Sequence, residues 1–135
     1  MSIIGIDHIQ LAMPAGQEDK ARAFYSHLLG IPEIPKPTAL VKRGGAWFEN
    51  DLVKIHLGVE AKFNPARKAH PGLLVSELRK LTEKLRDAGF DVSEDEPLIA
   101  LAPRNTRFRL VANLCRAGLF PAGFHQKFSA TLSFT

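Results

Sequence analysis

Residues 70–92 read HPGLLVSELRKLTEKLRDAGFDV and hold two structural periods in succession. Residues 70–76 form a short apolar run bounded by Pro71-Gly72 and Ser76-Glu77, the signature of a strand. From Glu77 to Ala88 the leucines fall at 78, 81 and 85, which places them on one face of a helix. Gly89 then stands where a helix ends in a left-handed residue, and residues 90–92 begin another strand. Toward the N-terminus the same order occurs once before. Residues 2–13, containing IIGIDHIQLAM, alternate as a strand does, and Pro14-Ala15-Gly16 stops them. Residues 17–29 carry Ala21, Phe24, Tyr25, Leu28 and Leu29 at helical spacing, and Gly30 and Pro32 close that helix. His8 to Gly30 spans 22 positions and His70 to Gly89 spans 19. Two histidine–strand–helix–glycine units of such similar length indicate an internal duplication.

The first unit continues through three strand candidates at residues 38–42, 46–49 and 52–59. Gly44-Gly45 and Asn50-Asp51 between them are residues that hairpin turns favour. In the last of these strands Val53, Ile55, Leu57 and Val59 share one face, and Lys54, His56 and Gly58 share the other. The predicted architecture is α+β, with paired βαβββ modules in a single domain over residues 1–135. Module 1 covers residues 1–60, a polar linker with Pro65 covers 61–69, and module 2 covers 70–135. The second module becomes atypical from residue 97: residues 107–114 read as one strand, and the remainder alternates only weakly.

Composition narrows the function classes without naming one. The chain has 135 residues, 45% hydrophobic and 24% charged, ordinary values for a soluble globular protein. It has no apolar run near the ~20 residues that span a membrane and no basic lead followed by an apolar stretch. Cys115 is the one cysteine, so no intrachain disulfide is possible, and a cytoplasmic setting is the expectation. The net charge of +4 arises entirely after residue 96: Arg104, Arg107, Arg109, Arg116 and Lys127 follow that point, and no carboxylate does. The spacing of basic and aromatic residues matches no nucleic-acid module, so neither nucleic acid nor a membrane is expected as a partner.

Three of the five histidines occupy parallel places. His8 lies in the opening strand of the first unit, His56 in its closing strand and His70 in the opening strand of the second. Singly, each reads as an ordinary half-buried strand residue. As a symmetric trio they suit a divalent cation, for which neutral imidazole is a common ligand.

The segments IDHIQLAM, ARAFYSHLLGI, VKIHLGVE and HPGLLVSELRKLTEKLRDAGFDV resemble the vicinal oxygen chelate superfamily. That group includes glyoxalases, extradiol dioxygenases, fosfomycin-modifying enzymes and bleomycin-binding proteins. The resemblance covers residues 3 to about 96 and is moderately specific for the superfamily, but not for any one reaction. It implies cupped sheets built from βαβββ modules, often completed across a homodimer. It also implies a metal-dependent lyase, isomerase or dioxygenase acting on a small oxygen-bearing molecule. The implied metal ligands are His8, His56 and His70, for Zn, Ni, Fe or Mn. The family's fourth ligand, a Glu within a D-P-x-G-N-x-x-E segment of the last strand, has no counterpart. Val111-Ala112-Asn113-Leu114 stands in its place, and the general base that this Glu would supply stays unassigned. A shifted reading frame would account for the abrupt loss of acidic residues, and translating the gene's other frames for that segment tests the idea. The missing ligand also keeps open a metal-free reading, a small-molecule sequestering protein of the bleomycin-resistance type.

Other candidates carry less. Cys115 has no base near it in sequence and reads as an inert thiol. Gly44-Gly45 is a turn and not a phosphate loop. Phe24 and Tyr25 read as helix packing, His27 as solvent-facing, and Arg67 and Lys68 as a solvated pair. Trp47 and Phe48 adjoin in a strand, so one of them can face a cavity, although core packing is the expected role.

Overall fold

The computed structural model describes residues 1–64, 66, 70–90, 92–95, 108–111 and 128–131, the last three segments as backbone apart from Val92. The expectations for Arg67, Lys68, Cys115 and the tail beyond the strand at 108–111 fall largely outside them. The chain divides into two compact units, Met1–Asn64 and Pro65–Thr135.

In the first unit β1 (Ile9–Met13) leads into α1 (Glu18–Arg22), which widens into a π-helical turn (Ala23–Leu28). Then come β2 (Glu33–Ile34), a short α2 (Thr38–Val41), β3 (Trp47–Glu49) and β4 (Lys54–Val59). The strands form one sheet in the order β1-β4-β3-β2, with β1 parallel to β4 and the other pairs antiparallel.

Three features differ from the sequence reading, each for a local reason. The opening strand is shorter than residues 2–13. Among the described residues its partner is β4, and Ile9 pairs with Ile55 next to the start of that strand, so the backbone before His8 has no described strand beside it. Ile3, Ile4 and Ile6 accordingly stand exposed. Residues 38–42 form a helical turn instead of a strand, with Leu40 N–H donating to Pro37 O and Arg43 N–H to Leu40 O. The second strand lies upstream, at Glu33–Ile34, between Pro32 and Pro35. Prolines on both sides hold it to two residues at the sheet edge, where a missing N–H is tolerated.

The π-helical turn is the third. Leu29 N–H donates to Phe24 O, a five-residue step. This wider winding lets the adjacent Phe24 and Tyr25 both turn inward, and each is buried as packing residues should be. Their rings meet edge to face at 5.2 Å, and Tyr25 stacks on Phe48 at 4.8 Å. Met13, Ala21, Ile55 and Leu57 complete that core. Gly30, with φ of 74°, ends the helix in the left-handed conformation that its position predicts. Arg22 reaches Glu33 through Nε and Nη2 at 2.7 and 3.1 Å and ties the helix to β2. Asn50 forms the turn between β3 and β4, its Oδ1 accepting from the N–H groups of Leu52 and Val53.

The second unit repeats the element order: β5 (Gly72–Val75), α3 (Leu78–Asp87), β6 (Val92–Asp95), β7 (Phe108–Val111) and β8 (Phe128–Thr131). Leu78, Thr82 and Leu85 are the buried residues of α3, and Gly89 closes it at φ of 83°. The sheet order does not repeat. It runs β5-β7-β8-β6, with β5 antiparallel to β7 and the parallel pair formed by β6 and β8. Among the described residues the opening strand thus lacks the parallel partner that β1 has in β4. The departure falls after residue 96, where the sequence also parts from the first unit. Among the described residues no helix is long and apolar enough to cross a membrane.

Candidate functional site

Alternation along β1, β3 and β4 sorts the first sheet into two faces. Leu11, Met13, Phe48, Ile55 and Leu57 point to the aromatic core. The other face carries His8, Gln10, Trp47, Glu49, Lys54, His56 and Gly58. Cross-strand register puts Gln10 and Trp47 on either side of His56, and Glu49 opposite Lys54.

His56 is the centre of this face. Although it lies on the polar side of the sheet, it is only 7% exposed, because flat rings cover it. Trp47 stacks on it at 3.9 Å and 5° from parallel, and His8 at 4.3 Å and 22°. Glu49, two positions along β3 from Trp47 and on the same face, reaches diagonally to His56. The distance from Nε2 of His56 to Oε1 of Glu49 is 2.6 Å. His8 has a similar companion, its Nδ1 lying 2.8 Å from Oδ2 of Asp7. The hydrogen bond from His8, and then that from Lys54, holds the Asp7 carboxyl below its ordinary range. Each imidazole therefore has one nitrogen bonded to a carboxylate. Nε2 of His8 and Nδ1 of His56 are left uncommitted among the described contacts.

Gly58 makes room on this face. A Cβ there would come within 2.7 Å of the Gln10 side-chain amide, which lies across it. The open face thus presents imidazole, indole and amide groups side by side, with the Lys54 ammonium at its margin.

The structure brings together two of the three histidines expected to bind metal, His8 and His56, and places His70 exposed just ahead of β5 in the second unit. Among the described residues no three His, Cys, Asp or Glu side chains gather into a metal-holding cluster. The donor chemistry of the pair nevertheless suits a cation, since metal-binding imidazoles commonly bond a carboxylate through the second nitrogen. Their lone pairs do not converge while the rings lie nearly parallel. His8, exposed and ahead of β1, is the ring with room to turn.

Glu49 had no place in the predicted site, and Trp47 entered only as one of an adjoining pair of which one can face a cavity. Core packing was the expected role in the Trp47-Phe48 pair; Phe48 alone takes it, and Trp47 faces the site. The signal was in the turn: a tight connection at Asn50 pairs position 47 with 56 and brings 49 onto the same face.

The coarse class follows from this geometry and from comparison. No protein-family model matches the chain, and no curated protein does. A solved structure does: that of a protein from Bacillus anthracis described as a presumed glyoxalase family member. The two are 36% identical, each is covered over 98% of its length, and they superpose with a TM-score of 0.72. The chain belongs to the glyoxalase family.

Proposed function

We propose that this protein binds a small oxygen-bearing molecule on the open face of its first sheet and acts on it with a divalent cation, as a lyase, isomerase or dioxygenase. His8 and His56 hold the cation, with His70 as the third ligand. The observation that carries this reading is the contact of His8 with His56, each bonded to a carboxylate through its other nitrogen. When bound, such an ion supplies a Lewis acid that stabilises a developing oxyanion. Trp47 and Gln10 line the same face and orient the substrate's flat and polar parts. The assembly proposed is a homodimer, and light scattering should give twice the chain mass.

Calorimetric titration of tag-free protein with Zn, Ni, Mn and Fe(II) tests the metal. Stoichiometric binding of at least one is the expected result, and His56→Ala should weaken it by about 100-fold or more, beyond what loss of an outer-shell partner costs. Failure of all four ions to bind overturns the reading.

One observation favours the metal-free alternative. The Trp47–His56–His8 stack is already a flat shelf on which a planar ligand could lie without a cation. His70→Ala, which leaves this stack untouched, separates the two: a sequestering protein keeps its ligand affinity, and a metal enzyme loses activity.

A further inference from the structure

We infer that Glu49 is a positioning residue: with Trp47 it locks the ring of His56 so that Nδ1 is the nitrogen offered to the open face. An ionised carboxylate can only accept, so the 2.6 Å contact assigns the proton of a neutral His56 to Nε2. The tautomer of an imidazole is set by the hydrogen bond its other nitrogen makes. The bond alone would leave the ring free to swing about it. Trp47, 5° from parallel at 3.9 Å, removes that freedom on one side, and His8 covers the other.

Burial makes the arrangement effective. The side chains of His56 and Glu49 are 8% and 19% exposed, so water competes poorly for either. Backbone register supports the same assignment. Trp47 pairs directly with His56, and β3 and β4 are joined by the Asn50 turn, so the acceptor and the stacking ring come from one rigid hairpin. His8 has no such fixture among the described residues: it precedes β1, bonds to the neighbouring Asp7 and stacks on the ring it covers. The site therefore has one fixed imidazole and one movable one.

This inference deepens the proposed metal site, but its first test needs no metal. Two-bond proton–nitrogen correlation of the apo protein, well above the ordinary imidazole range, reads the His56 tautomer directly. The expected result is Nε2–H alone in the wild type and in Glu49→Gln, whose carbonyl oxygen can accept the same bond. Glu49→Leu should show a mixture. A wild-type Nδ1–H tautomer, or Glu49→Leu indistinguishable from the wild type, overturns the assignment. In the second arm Glu49→Leu should weaken divalent-ion affinity by about 10–100-fold, the usual cost of losing such a partner, with Glu49→Gln much nearer the wild type. If no ion binds but the tautomer behaves as expected, the metal reading fails and the positioning role stands. Should Glu49→Leu not fold, the wild type and Glu49→Gln still decide the tautomer.

Discussion

Phe48→Ala lowers the stability of the first unit by about 3–5 kcal/mol, the usual cost of deleting a buried phenyl ring. Phe48 is fully buried and stacks on Tyr25 at 4.8 Å, while Tyr25 meets Phe24 edge to face. Removing the ring deprives the sheet of its stacking contact with Tyr25 and leaves a void that two other large rings cannot collapse to fill. The neighbouring position supplies the control. Trp47 is only half-buried and lies on the opposite face, so Trp47→Ala uncovers His56 and leaves the core intact. Urea denaturation of the two variants ranks them. A loss for Trp47→Ala as large as that for Phe48→Ala would contradict the division of the sheet into a packed face and an open one.

Gly45→Ala should cost roughly 3 kcal/mol, combining about 1–2 for left-handed backbone with about 1–3 for forced displacement of packed atoms. Gly45 has φ of 80°, and a Cβ built there would collide with the backbone oxygen of Leu57. That oxygen belongs to β4, the central strand on which His56 sits, and cannot move without disturbing the sheet. Leu57 N–H donates to Ala46 O at 2.8 Å beside it, and Gly45 N–H donates to Glu18 at 2.9 Å. Gly16 isolates the conformational part, since its φ of 73° is similar but a Cβ would meet nothing within 4 Å. Gly16→Ala is expected to cost only about 1–2 kcal/mol, so equal denaturation midpoints for the two variants would show that the close approach at Gly45 is relieved elsewhere.

Much of the first unit was legible because its signals are local. The helix around Phe24 and Tyr25 and its end at Gly30 follow from spacing and from the conformational freedom of glycine. The turn at Asn50 follows from side-chain chemistry. The strand expected at 38–42 failed because Pro37 and the residues after it close a helical turn, while the true edge strand hides between two prolines. The second unit was legible through Gly89, where helical periodicity still speaks. Beyond residue 96 the strand at 108–111 was foreseen and the one at 128–131 was not, since weak alternation does not say which strand a segment will join.

The amino-acid sequence alone determined that His56 occupies the closing strand of a βαβββ unit, and that the apolar residues of β4 take the face opposite His56; His8, expected within the opening strand, lies one residue ahead of it. Alternation with a period of two settles such matters without knowledge of partners. Only the tertiary structure decided that Trp47 lies flat on His56, that Glu49 bonds its ring, and that β5 pairs with β7 instead of with a parallel closing strand. Those facts depend on register and strand order, which arise when distant segments meet, and a one-residue slip in pairing would have turned every one of these side chains to the other face.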